Sequence, residues 1–177
     1  MAEAFSNSLT RAVGIVTTAT EGAIGVTTNL ITGISTNLIA VGDIIDNQNY
    51  IAGTKVSSIG VNSTTCDRDS TNTAASSSQS INYLGVTTVY TSTAKSILIG
   101  GTFANNTGSQ VNLTVALYDD SNSRQVAIAS KVPVPNGSSF VISDAGKTVL
   151  EANDEIRAYC DTANAVDITL NVLTGVS

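Results

Sequence analysis

Histidine and tryptophan are missing altogether, and charge is scarce. Without histidine the chain lacks the commonest general base near neutral pH, the commonest metal ligand and the partner of every Ser-His or Cys-His nucleophile. Catalysis would have to rest on carboxylates, lysine or cysteine. Charged residues make up only 12% of the chain, about half the usual share of roughly 25%. The eight Lys and Arg residues are scattered singly from Arg11 to Arg157, which leaves no basic stripe to displace counterions from a nucleic acid and no patch for an anionic membrane. No apolar run is long enough to cross a bilayer, because even residues 22–45 are interrupted by Thr, Asn and Gly, so a soluble chain is expected. The start, Met1-Ala2-Glu3-Ala4-Phe5-Ser6, lacks the basic and apolar regions of a secretory signal, and no export is expected. Two cysteines, Cys66 and Cys160, do not make a disulfide framework; two separate reduced thiols are expected. Aromatic residues are 5% of the chain and unclustered, so no sugar-stacking platform is evident.

What fills the 177 residues is Thr, Ser, Asn, Gly and a β-branched apolar set, which favours strands over helices and argues against charge-driven disorder. Residues 1–13 have too little periodicity for an element and read as an N-terminal arm. Residues 14–61 carry short β-branched runs punctuated by glycine, the spacing of short strands and tight turns, and form a small β-rich module. Within it, Gly25-Val26-Thr27-Thr28-Asn29-Leu30-Ile31-Thr32 and Gly33-Ile34-Ser35-Thr36-Asn37-Leu38-Ile39-Ala40 are near copies, expected as a duplicated strand-turn unit. Ile44-Ile45 and Tyr50-Ile51 read as two strands about a polar loop, and residues 55–60 as another. Residues 62–82 are almost all small and polar and read as a loop or linker.

Residues 83–177 show the two-residue alternation of half-buried strands. Val111, Leu113, Val115 and Leu117 share one face; so do Ile156, Ala158 and Cys160, and Val166, Ile168, Leu170 and Val172. Further strands are expected at 84–91, 97–103, 125–132, 139–142 and 148–150. Polar turns separate them, among them Asn105-Asn106-Thr107-Gly108, Pro135-Asn136-Gly137 and Asp144-Ala145-Gly146. Roughly eight short strands in this span predict an all-β protein whose C-terminal domain is an antiparallel β-sandwich or jelly roll. Pro133 and Pro135 cannot donate to a ladder, so their strand should end there or lie at an edge.

Candidate chemistry is thin. Asp67-Arg68-Asp69 suits a solvated turn better than a metal pair. Asp119-Asp120 lacks the acidic spacing and distal Glu of a calcium hand and suits a hairpin turn. Glu151, Asp154 and Glu155 form the densest acidic cluster, a calcium-site alternative to a solvated strand entry. Gly100-Gly101 lacks the Gly-Lys-Ser/Thr ending of a phosphate loop and more plausibly marks a bulge or a close backbone approach. Asn62, Asn105, Asn112 and Asn136 sit in glycosylation sequons, which arise by chance in so Ser/Thr/Asn-rich a chain. No catalytic, cofactor-binding or metal-ligating residue is assigned, and no cofactor is expected.

From Leu84 onward the order of elements resembles small virion structural proteins of tailed phages, in particular those of marine cyanobacteria. The resemblance lies in Thr88-Val89-Tyr90-Thr91, residues 96–105 (SILIGGTFAN), residues 108–115 (GSQVNLTV), residues 132–139 (VPVPNGSS), residues 148–157 (TVLEANDEIR) and residues 168–173 (ITLNVL). It covers about half of the chain. Residues 1–13 also look like the start of such proteins, which makes residues near 14–82 an added module, and Gly33-Ile34-Ser35-Thr36-Asn37 and Val41-Gly42-Asp43 are similar to repeats in phage fibre and surface proteins. The resemblance implies a non-enzymatic β-sandwich component of a virion assembled in the host cytoplasm. The leading expectation is a capsid decoration or cement protein, forming homo-oligomers such as trimers and binding major capsid protein. A neck, tail or fibre component that links virion proteins or touches the host surface is the alternative, and a calcium-dependent glycan-binding module the third. Neither nucleic acid nor membrane is an expected partner.

Overall fold

The computed structural model describes residues 3–143 and 147–176 and is all-β, with fifteen strands among them. The chain divides into two compact units, Met1–Gly14 together with Thr87–Ser177, and Ile15–Val86.

The first unit contains β1 (Ala4–Val13), β8 (Thr87–Thr91), β9 (Ser96–Asn105), β10 (Val111–Asp119), β11 (Arg124–Val134), β12 (Ser139–Ile142), β13 (Thr148–Leu150), β14 (Glu155–Cys160) and β15 (Val166–Thr174). One antiparallel sheet runs β1-β15-β9-β12, with β13 also paired to β9; the other runs β11-β10-β14-β8. The alternation explains how they close into a sandwich. Val111, Leu113 and Val115 of β10, Ile156, Ala158 and Cys160 of β14, and Val166, Ile168, Leu170 and Val172 of β15 are all buried in one cluster with Leu98, Phe103 and Leu150. Each strand turns every second side chain into that shared interior, and removal of this apolar surface from water is what holds the sheets face to face. Phe103 and Phe140 sit with ring centroids 5.8 Å apart at 37°.

Pairing in this unit is nested. β10 pairs with β11, β9 with β12 and β13, β8 with β14, and β1 with β15, working outward from the β10–β11 turn. Two further pairings, β9 with β15 and β10 with β14, complete the sheets. The arrangement is that of one long hairpin rolled across two sheets. Its expected local features are present: Pro133 lies on β11, an edge strand that ends at Val134, and the register of β15 on β9 slips between Asn171 and Val172, opposite Gly100. A Cβ on Gly100 would stand 2.7 Å from the Ile142 carbonyl oxygen, and one on Gly101 2.6 Å from a Leu170 methyl, so the Gly-Gly pair marks both a bulge and a close approach. The predicted turn at Asp144-Ala145-Gly146 lies outside the described residues.

The second unit contains β2 (Ile15–Ile24), β3 (Leu30–Thr32), β4 (Ile44–Asp46), β5 (Val56–Gly60), β6 (Ser63–Cys66) and β7 (Ser76–Gly85). Its sheet runs β4-β7-β2-β3-β6-β5. The two ends of that order meet, because Ile44 bridges to Lys55, Ile45 N–H donates to Thr54 O (2.8 Å) and Val56 N–H donates to Asp43 O (2.9 Å). The sheet therefore closes on itself as a small barrel, filled by Ile24, Ile31, Ile34, Ile45, Val56 and Ile81 together with Tyr50, Cys66 and Tyr83. Closure removes the edges that a six-stranded sheet would leave open.

Several expectations are corrected. The segment expected as an arm at residues 1–13 is, from Ala4 to Val13, a strand: β1 pairs with β15 from Ala4↔Thr174 to Val13↔Val166. Residues 62–82 are not a linker, because they contain β6 and most of β7; small hydroxyl side chains suit a narrow barrel, and the buried Thr64 hydroxyl is hydrogen-bonded to the Tyr83 hydroxyl (2.9 Å). The module expected at 14–61 thus extends to Val86, and the strand expected at 84–91 is broken there into β7 and β8. Tyr50-Ile51 forms no strand; Tyr50 N–H closes a turn onto Asn47 O (3.1 Å). The near-copies diverge as well, since residues 30–32 form β3 while the matching 38–40 are turn and coil, with Leu38 at the surface.

Candidate functional site

The acidic residues singled out in the sequence are engaged in holding turns. Asp154 is buried; its carboxylate accepts the Glu151 N–H (2.9 Å) and the Asp120 N–H (3.1 Å), tying the β13–β14 loop to the β10–β11 hairpin. Glu155 accepts from Thr88 Oγ1 (2.9 Å) and Arg157 Nε (2.6 Å), and the Arg157 guanidinium lies 3.6 Å over the Tyr118 ring. Glu151 faces Lys95 at 3.6 Å. Asp119 accepts the Ser121 hydroxyl and both the main-chain and side-chain N–H groups of Asn122, and the Asn122 side chain leads the hydrogen bonds that hold its carboxyl below the usual carboxylate range. Asp67 accepts the Lys55 N–H (2.9 Å) within an exposed bend, and Asp69 is likewise exposed. Among the described residues, no three His, Cys, Asp or Glu side chains gather as metal ligands.

Two concavities of the barrel unit are shallow and poor in titratable groups. A groove of about 390 Å³ beside β2 and β3 is lined by Ala23, Thr28, Leu30, Thr32 and Ser76 among others. A cleft of about 470 Å³ beside it is lined by Asp46, Asn47, Gln48, Ser76, Gln79 and Ser80, with Asp46 its one carboxylate. The amides of Asn47 and Asn49 both donate to Gln79 Oε1 there. Inside the barrel, burial pushes the Cys66 thiol up to about 11 and the Tyr83 hydroxyl up to about 12. Cys160, in the core of the sandwich, is raised for the same reason. A thiol held protonated is a poor nucleophile, so these cysteines serve as core side chains.

What the fold brings together is a surface that the sequence did not announce. On the outward face of the five-stranded sheet, Phe5 stands opposite Leu173, Leu173 opposite Ile97, and Ile97 opposite Val149. This apolar row crosses four strands on the side away from the core, and Phe5 is 81% and Val149 52% exposed. Four residues along β1 from Phe5, Leu9 (72% exposed) faces Thr169, which faces Thr102, which faces Val141. A trace of it exists in the sequence: Ile97-Leu98-Ile99, Val141-Ile142, Val149-Leu150 and Val172-Leu173 are unbroken apolar runs, the mark of strands apolar on both faces. Large contiguous exposed apolar faces are a common feature of contact sites between macromolecules.

No protein family and no curated protein matches the chain. Among solved structures, it is similar to an isomalto-dextranase of Arthrobacter globiformis T6 complexed with panose, at 14% identity and a TM-score of 0.25, over 90% of this chain and 34% of that one. The chain thus spans about a third of that enzyme's length, and likeness at this level carries no argument about fold or activity.

Proposed function

We propose that this chain is a non-enzymatic structural protein of a tailed-phage virion, a capsid decoration protein that seats on the preformed head and stabilises it. The observation that carries the reading is the apolar row Phe5, Leu173, Ile97 and Val149 on the outward face of the sandwich. Such a face binds by burying area, with no reacting group required. The nested strand order of the sandwich supports the reading, because it is compatible with a jelly roll, an architecture used by viral capsid and lectin domains. Fold alone does not assign function; the resemblance of residues 84–173 to phage virion proteins supplies the setting, with major capsid protein and further copies of the chain as partners. The acidic residues at which a calcium-dependent glycan site would form are occupied as turn caps and ion pairs, which favours the structural reading over that one.

The test is a comparison of particles with and without the chain. Particles lacking it should lose their genome at a lower temperature, and antibody label on complete particles should cover the capsid faces. Unchanged heat resistance would remove the cement role. Label confined to the neck or tail would favour the alternative of a linking or fibre component, for which the barrel unit, with Leu38, Val41 and Val61 exposed, supplies a second contact surface.

A further inference from the structure

We infer that β1 pairs edge to edge with β1 of a second copy, about a twofold axis through Asn7, to form a homodimer. Of the sandwich's edge strands, β8 has five residues, β12 and β13 have four and three, and β11 carries Lys131, Pro133 and two register shifts. β1 has ten residues, and among the described residues its main chain pairs with β15 alone. From Ala4 to Thr10 it contains no charge, no proline and no bulge; its register shift comes only beyond Thr10. An edge this long and unguarded is a template for another strand.

The sequence of β1 selects the strand. Antiparallel pairing centred on Asn7 places Phe5 opposite the partner's Leu9, Ser6 opposite the partner's Ser8 and Ala4 opposite the partner's Thr10. Glu3 then stands opposite the partner's Arg11 at both ends. Phe5, Asn7 and Leu9 all lie on the outward face, since their partners Leu173, Asn171 and Thr169 alternate with the buried core residues of β15. The twofold therefore creates two aromatic–aliphatic cross-strand pairs and two opposite-charge pairs, each of a kind that stabilises antiparallel sheets. Arg11 is available for this role: its side chain is 91% exposed, and its contact with Asp167 is as long as 4.0 Å. Pairing also continues the Phe5 row of one copy into the Leu9, Thr169, Thr102 and Val141 row of the other, giving a continuous sheet of twice the width, and an isologous contact closes at two copies. This deepens the proposed function, on whose premise of self-association it rests.

Sedimentation of the full chain over a range of concentrations, with charge-swap variants, tests the pairing. Glu3→Arg or Arg11→Glu alone places like charges at both ends and should raise the dimer dissociation constant about tenfold; the double variant E3R/R11E should return it to the wild-type value. Asn7→Cys should crosslink to its copy with a short bis-maleimide, whereas Val126→Cys on β11 should not. All four positions are exposed, so the variants should fold. An oligomer of any size indifferent to both single swaps, or one not restored by the double swap, overturns the β1 pairing and leaves self-association standing. A chain that is monomeric at every concentration overturns both.

Discussion

Buried polar groups show how single residues set the behaviour of this protein with pH. Asp43 is buried, and desolvation raises its carboxyl above the ordinary 3.8 more than the hydrogen bond from the Ala40 N–H lowers it. A carboxyl whose pKa is higher folded than unfolded costs stability as pH rises from 3.8 through the raised value. Asp43→Asn, which keeps an acceptor for Ala40, should therefore melt higher than wild type at pH 7, and the difference should vanish in acid. Cys66 behaves likewise at the other end of the scale: with its thiol raised from 9.0 to about 11, the unfolded chain releases its proton first. Stability should fall as pH rises from about 9 to about 11, and Cys66→Ala should shrink that fall in thermal melts. Iodoacetamide at pH 8 should label neither Cys66 nor Cys160 until the protein is unfolded. None of this was legible beforehand, because Asp43 and Cys66 are ordinary in the text and only the barrel that encloses them changes their environment.

At the scale of elements, strands obey their alternation and turns depend on a few anchors. Asn105 ends β9 buried, its amide donating to Ser109 O (2.8 Å), Val134 O (2.9 Å) and Pro135 O (3.2 Å) while its carbonyl accepts the Thr107 N–H. One side chain thus satisfies the main chain of two turns, and leaving those carbonyls unpaired in the interior costs about 1–3 kcal/mol. Asn105→Ala should lower stability by an amount in that range in urea titration. Gly14, at φ +128°, accepts the Asn164 N–H, and a Cβ there would stand 2.1 Å from the Thr162 carbonyl oxygen. Gly14→Ala should therefore destabilise by more than the ~1 kcal/mol typical of a point change. β10, β14 and β15 were readable because their buried faces are uniformly apolar. β1, β6 and β7 were not: in β1 the half-buried positions are Ser8 and Thr10 while Phe5 and Leu9 face outward, which inverts the usual signal.

At the scale of the whole molecule, pairing joins distant parts of the chain. β1 pairs with β15 across more than 150 residues, and β15 is also the strand that links β1 to β9. Loops of this length must close before their contacts stabilise anything, so refolding of the sandwich should fall in the millisecond-to-second range of non-local β folds. Truncation before Val166 should leave the first unit unfolded, since it removes Val166, Ile168, Leu170 and Val172 from the core together; loss of cooperative melting and of the β-sheet circular dichroism of that unit would check it.

The amino-acid order by itself determined the all-β class, most strands of the sandwich and their buried faces, because a two-residue period needs only neighbouring residues to declare itself. It also determined where tight turns and the Gly100-Gly101 bulge fall, since those are local. The tertiary structure alone decided that β1 is a strand, that residues 15–86 close into a barrel, and that Phe5, Leu173, Ile97 and Val149 align as one surface. Each of these depends on register between segments far apart in the chain, and register arises from packing and closure rather than from any short stretch of sequence.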